Sequence, residues 1–224
     1  MIEERTLKDM LYQEFARIGK SLSSPKRLEI LDLLSQSPKS VEGIAKSTGM
    51  TVANVSQHLQ TLHNARLVNF KKQGNFVIYE LANSAVSDFM GTLHQLSEKQ
   101  LVEVQQIKKE FLNNHFEMEE LSLPELKKRM EKGEVLLLDV RPKEEYEEAH
   151  IPGAVSIPIE ELEDKLASLP SNCDVVAYCR GPYCLMSVKA VELLKTKGIN
   201  ALRLEKSVQD WNQFIKQEVN EVLP

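Results

Sequence analysis

The sequence predicts two domains of different class, an α+β domain over residues 1–115 and an α/β domain with a central parallel sheet over residues 116–224. Three observations carry this reading. Through most of the first half, apolar residues recur at three- and four-residue steps, and a single pair of β-rich runs follows. From about Leu121, continuous apolar runs alternate with amphipathic stretches, the pattern of parallel strands joined by helices. Charge divides at the same place: residues 1–115 carry 14 Lys and Arg against 12 Asp and Glu, residues 116–224 carry 14 against 21, so the halves are +2 and −7.

In the first half, Leu7, Met10, Leu11, Phe15 and Ile18 form the apolar stripe of an opening helix. Ser24 offers an N-cap and Pro25 occupies the first position of the next helix, "KRLEILDLL", where its missing N–H costs nothing. "SVEGIAKSTGM" reads as a short helix stopped by Gly49, which can take the left-handed conformation. Thr51 then caps "VANVSQHLQTLHNARL". Val52, Val55, Leu59 and Leu62 are expected on its buried face, which turns Ala53, Asn54, Ser56, Gln57, Gln60 and Thr61 outward, with His58 beside them. A helix, a Gly turn and a second helix with a small, amide-bearing face suit entry into a DNA major groove, where Asn and Gln read adenine edges. "LVNF" and "FVIYEL" form a β-hairpin about Gly74 and Asn75, with Lys71 and Lys72 expected at its tip for phosphate contact. Residues 20–80 hold 8 basic against 4 acidic residues, consistent with a small nucleic-acid reader.

These segments, "SPKRLEILDLL", "SVEGIAKSTGMTVANVSQHLQTLHNARLV" and "KKQGNFVIYEL", resemble the winged helix-turn-helix of the ArsR family of bacterial repressors over residues 5–112. The resemblance implies a homodimer on double-stranded operator DNA that an inducer releases. The dimer contacts are expected from the N-terminal helix and from one long helix over residues 84–112, whose seam is Val86, Met90, Leu93, Leu96, Val104, Ile107 and Phe111. Metal-sensing members carry a cysteine pair before the recognition helix. "SVEGIAKSTG" has none, and His94 and His115 are too far apart for a shared metal, so neither metal nor cofactor is expected.

In the second half "EVLLLDV", "DVVAY" and "ALRL" are strands, "PIEELEDKLASL" a helix, and "MSVKAVELLKTKG" a helix ending at Gly198. Cys179 is the first residue beyond "DVVAY", where open parallel sheets bind their ligands. Loop amides, the N-terminus of the next helix and Arg180 all favour a thiolate, so an ionised and accessible Cys179 is expected. All three cysteines, Cys173, Cys179 and Cys184, lie in the last third; the odd number is unlike a secreted disulfide framework. No signal-peptide pattern opens the chain and no apolar run approaches about 18 residues, so a cytoplasmic protein with no membrane association is expected.

"LLLDVRPKEEYEEAHIPGAVSIPIEEL" with "YCRGPYC" and "SVQDW" resembles a rhodanese domain over residues 118–222. The resemblance implies a persulfide on Cys179 inside a loop of amide donors formed by Arg180, Gly181, Tyr183 and Cys184. It also gives framework roles to Asp139, Arg141, His150 and Trp211. Many rhodaneses have arginine or lysine where this chain has Cys184, and the stretch before "KAVELL" is about two residues longer. Cys184 is placed like a resolving cysteine that could attack a modified Cys179, or equally like a residue that only packs at the start of the next helix. Three readings stay open: a regulator that senses a small sulfur donor or oxidant through Cys179, a rhodanese-type sulfurtransferase for which DNA binding is secondary, and a thiolate-based metalloid sensor.

Overall fold

The computed structural model describes residues 4–113, 121–170 and 173–222. The chain divides into two compact units, residues 1–100 and 101–224.

The first unit opens with α1 (Glu4–Leu22) and α2 (Pro25–Gln36). A two-residue strand β1 (Lys39–Ser40) leads into α3 (Val41–Thr48), where the Ser40 hydroxyl accepts from the Gly43 amide. Gly49 takes φ +67° and turns the chain into α4 (Val52–Asn64), capped by the Thr51 hydroxyl on the Asn54 amide. The hairpin β2 (Val68–Gln73) and β3 (Phe76–Leu81) pairs antiparallel, and β1 adds to β3, for the order β1-β3-β2. One core joins these elements through Ile30, Leu31, Leu34, Ile44, Val55, Leu59, Leu62 and Val68, with Met90 supplied by α5 (Ser84–Gln100).

Three expectations for this half are corrected. Val52 is 46% exposed rather than buried. Helical side chains lean toward the N-terminus, so at the first position Val52 overhangs the end of α4 instead of reaching the core. Lys71 and Lys72 lie within β2, and the turn itself is Gly74 and Asn75. The expected single helix over residues 84–112 is two, α5 and α6 (Val102–Asn113), interrupted at Leu101. There the Leu101 carbonyl accepts from the Val104 amide and starts a new helix. The side chain of Phe111 and all of His115 fall outside the described residues.

The second unit holds α6, then α7 (Leu123–Glu131), β4 (Val135–Asp139), α8 (Lys143–Glu148), β5 (Val155–Ser156) and α9 (Leu162–Lys165). After these come β6 (Asp174–Tyr178), α10 (Leu185–Thr196), β7 (Ala201–Leu204) and α11 (Val208–Val222). Its four strands are all parallel in the order β5-β4-β6-β7. Apolar side chains pack both faces, Leu137, Val176, Leu202 and Trp211 on one and Leu138, Val175, Ala177, Val191 and Leu194 on the other. Such two-sided burial is why these strands read as unbroken apolar runs. Residues 159–168, expected as one helix, are a short α-helix between two 3₁₀ turns. Among the described residues no helix is long and apolar enough to cross a membrane.

Candidate functional site

Two places concentrate the singled-out residues. The first is the outer face of α4. Thr51, Ala53, Asn54, Ser56, Gln57, Gln60 and Thr61 are exposed, and His58 is half-buried. Val55, Leu59 and Leu62 on the opposite face are buried in the core, which fixes the helix and therefore the direction of its polar face. Some of these groups are occupied locally: Ser56 Oγ donates to the Val52 carbonyl at 2.9 Å, Thr61 Oγ1 to the Gln57 carbonyl at 3.0 Å, and Gln60 Nε2 to Asn64 Oδ1 at 2.9 Å. The amides of Asn54 and Gln57 stand on the same exposed face. On the hairpin, Lys72 is exposed and Lys71 Nζ reaches Glu80 at 3.2 Å.

The second place lies at the carboxyl ends of β4 and β6. Asp139 ends β4, and the carboxylate takes the Arg141 guanidinium on both oxygens, at 3.0 and 2.7 Å, with both residues fully buried. Arg141 also donates to the Ala149 carbonyl at 2.7 Å and lies over the Tyr178 ring. The Tyr178 hydroxyl accepts from the Ile151 amide at 3.1 Å. Burial, reinforced by the Asp139 charge, pushes the Tyr178 phenol well up. His150 is exposed, stacks on Tyr146 and contacts the Tyr146 carbonyl through Nδ1 at 2.9 Å.

Cys179 follows β6 and Cys184 stands at the N-cap of α10, so the four residues between them fold back and bring the two cysteines together. Gly181, at φ +125°, supplies the turn that this return needs. The expectation of an accessible, ionised Cys179 is overturned, because that residue is 0% exposed. Its Sγ lies 3.1 Å from Ser187 Oγ and 3.5 Å from the Cys184 carbonyl oxygen. Burial, and then the neighbouring Cys184, push the Cys179 thiol well above the ordinary range.

The thiol held down is that of Cys184 instead. The hydrogen bond from Cys179 brings it down to about 6, with further help from the Arg180 and Met186 amides and the Arg180 charge, against an opposing contribution from burial. The features expected to ionise Cys179 (loop amides, helix start, Arg180) act on the sulfur at the helix start. The two thiols are therefore driven in opposite directions, Cys184 down and Cys179 up. Arg180 is anchored by the buried Glu145, whose carboxylate accepts from Nε at 3.0 Å and Nη2 at 2.7 Å. Burial pulls the Arg180 guanidinium down, but Glu145 more than offsets this. Tyr183 is exposed on the loop, and Cys173 precedes β6 at the far end of the strand from Cys179.

Sequence reasoning missed Glu145, Ser187 and Arg203. Arg203 Nε donates to Ser187 Oγ at 3.1 Å and Nη2 to the Pro182 carbonyl at 2.7 Å, so it holds the cysteine loop from behind. A lone arginine within the apolar strand "ALRL" is a readable signal for such a buried partner. Glu145 sits in "KEEYEE", where nothing sets it apart from its acidic neighbours.

Comparison with known proteins adds the following. The family model of the bacterial regulatory protein, arsR family, matches residues 24–69, and that of the rhodanese-like domain matches residues 122–214. The HTH-type transcriptional regulator Rv0324 of Mycobacterium tuberculosis is 39% identical over 204 residues, 91% of this chain and 89% of that protein. The HTH-type transcriptional regulator YgaV of Escherichia coli is 33% identical over 82 residues, 36% of this chain and 83% of its own. A solved homodimeric winged helix-turn-helix DNA-binding domain from Mycobacterium bovis is 34% identical, covers 45% of this chain and 94% of its own, and has a TM-score of 0.42.

Proposed function

The chain belongs to the ArsR family of transcriptional regulators and carries a rhodanese-like domain behind its helix-turn-helix, and from that premise we propose that it binds operator DNA as a homodimer whose affinity is set by sulfane sulfur or an oxidant at Cys179 and Cys184. The observation that carries this reading is the closed cysteine loop: Cys179 is buried against Ser187 and the Cys184 carbonyl, Cys184 stands at the N-cap of α10 with its thiol held down, and Arg180 and Arg203 pin the loop. Two cysteines that merely packed would both be neutral and inert.

The chemistry follows from that distribution. The Cys184 thiolate attacks the outer sulfur of a persulfide donor, RSSH; the donor S–S bond breaks, RS⁻ departs, and Cys184 carries –SSH. Ionised to –SS⁻, this group meets the Cys179 thiol, whose sulfur attacks the Cys184 sulfur and whose proton leaves on the expelled atom as HS⁻. A Cys179–Cys184 disulfide remains, two electrons having passed to the donor sulfur. The persulfide thus forms first on Cys184, the more acidic sulfur, and Cys179 resolves it. Cys179 has no solvent exposure in the resting state, which disfavours rapid sulfurtransferase turnover.

The dimer is supported by α1, where Leu7, Met10, Leu11, Tyr12 and Phe15 are each between 50% and 64% exposed. A run of apolar side chains on one helix this open to water calls for a partner, and a second copy of the same helix supplies one. Phe15→Asp is expected to give monomers by analytical ultracentrifugation and to abolish operator binding.

The test of the central reading compares reduced and sodium tetrasulfide-treated protein on a duplex selected from a random pool by the reduced protein. Wild type should change affinity by about 5–150-fold, and Cys184→Ser should not respond. Equal affinity of wild-type protein in both states would dismiss sulfur control. Mass spectrometry then distinguishes added sulfur from the loss of two hydrogens.

A further inference from the structure

We infer that Arg203 and Glu205 couple the cysteine pair to α6, a role that rests on the reading of Cys179 and Cys184 as a sulfur-responsive pair. Arg203 is 1% exposed and is held by its polar partners. Its guanidinium divides among three elements: Nε goes to Ser187 Oγ on α10, Nη2 to the Pro182 carbonyl in the cysteine loop, and Nη1 to Glu205 Oε1 at 2.7 Å. The other oxygen of Glu205, Oε2, accepts from Lys108 Nζ on α6 at 2.8 Å. One rigid fork and one carboxylate therefore span the distance from the sulfur atoms to α6, and α6 continues in sequence from the DNA-binding half through Leu101.

Both loop-side ligands of Arg203 change when the sulfurs react. Ser187 Oγ accepts from Arg203 Nε and lies 3.1 Å from Cys179 Sγ, and that contact is altered when the sulfur is drawn into a disulfide. Pro182 lies between the two cysteines, and the loop must contract as hydrogen-bonded sulfurs close to about 2.05 Å. The negative charge facing Arg180 vanishes in the same step. Arg203 cannot keep both contacts unaltered, and Glu205 is its next partner. Lys108 is the point where α6 feels the change, so Arg203 and Glu205 act as positioning residues for the regulated response.

Full-length wild type, Lys108→Gln and Lys108→Arg are compared, each reduced or treated with sodium tetrasulfide. The readouts are affinity for the selected duplex, sulfur content by mass spectrometry, and hydrogen exchange over residues 102–113. All three proteins should take up sulfur equally and bind DNA equally when reduced. Wild type and Lys108→Arg should show the full change in affinity and altered exchange in α6, whereas Lys108→Gln should keep less than about a third of an expected ~5–150-fold response. A full response in Lys108→Gln overturns the coupling route and leaves the sulfur reading standing. An unresponsive wild type removes both. Loss of reduced-state DNA binding in Lys108→Gln also overturns the inference, because Lys108 would then serve DNA binding directly.

Discussion

The outer face of α4 and the cysteine loop are opposite kinds of site. On α4 short polar side chains stand in solvent over a closed apolar core, and much of their hydrogen-bonding capacity is unspent or given to their own helix. In the loop Arg180, Glu145, Arg203 and both cysteines are tied to one another, and little faces water. In the proposed function the first site is completed by DNA, so its energy is that of association and depends on salt. The second is complete within the chain, and in the proposed function a new covalent bond switches it. The proposed function uses both, a surface that lets go readily and a trigger that does not respond to ordinary solutes.

The contrast breaks most violently where burial is deepest. Arg141→Met leaves the Asp139 carboxylate buried without its cation and should cost about 3–5 kcal/mol, read as a lowered denaturant midpoint of the rhodanese-like domain. Gln57→Ala, on the open site, should leave the midpoint within about 0.5 kcal/mol. If Gln57 reads a base, the same change costs about 1–3 kcal/mol of operator affinity by fluorescence anisotropy. An Arg141→Met protein with unchanged stability would mean that the buried pair contributes nothing to the closed site.

A smaller effect sharpens the account of the trigger. Cys184 is held at about 6, so its thiolate population rises as pH climbs through that value. Iodoacetamide labelling at position 184 should be half-maximal near pH 6 and flat from pH 7 to 8. Cys179→Ala removes the hydrogen bond that contributes most to this acidity, and the midpoint should move up toward that of an ordinary thiol. Labelling at Cys179 ahead of Cys184 would reverse the assignment.

Much of the fold is legible because its signals are local. Ser40, Gly49 and Thr51 mark helix ends within a few residues of where they act, and the period of Val55, Leu59 and Leu62 orients α4. Leu101 interrupts a helix with no proline or glycine at the break, and no neighbouring residue announces it. The cysteine loop could be located, since Cys179 follows directly on an apolar strand. Its electrostatics could not be assigned, because which sulfur is charged depends on how the loop returns and on which atom the Arg180 and Met186 amides meet. The roles of Glu145 and Ser187 are likewise set by packing across 35 and 8 residues of chain.

The hairpin offers the finest test of an open site, because adjacent lysines differ in what they already hold. Lys71 is paired with Glu80 across the strands, whereas Lys72 is exposed and sits across from Val77. A phosphate contact by Lys71 must compete with that carboxylate, and an exposed pair is worth only about 0–1 kcal/mol. A phosphate contact by Lys72 releases counterions without that competition. Lys72→Ala should therefore reduce the slope of log affinity against log salt by about one unit per monomer. Lys71→Ala should reduce it by less, and Glu80→Gln should steepen it by freeing Lys71. Equal slopes in all these proteins would place the hairpin away from the phosphates and leave α4 as the sole candidate of the open site for contact with DNA.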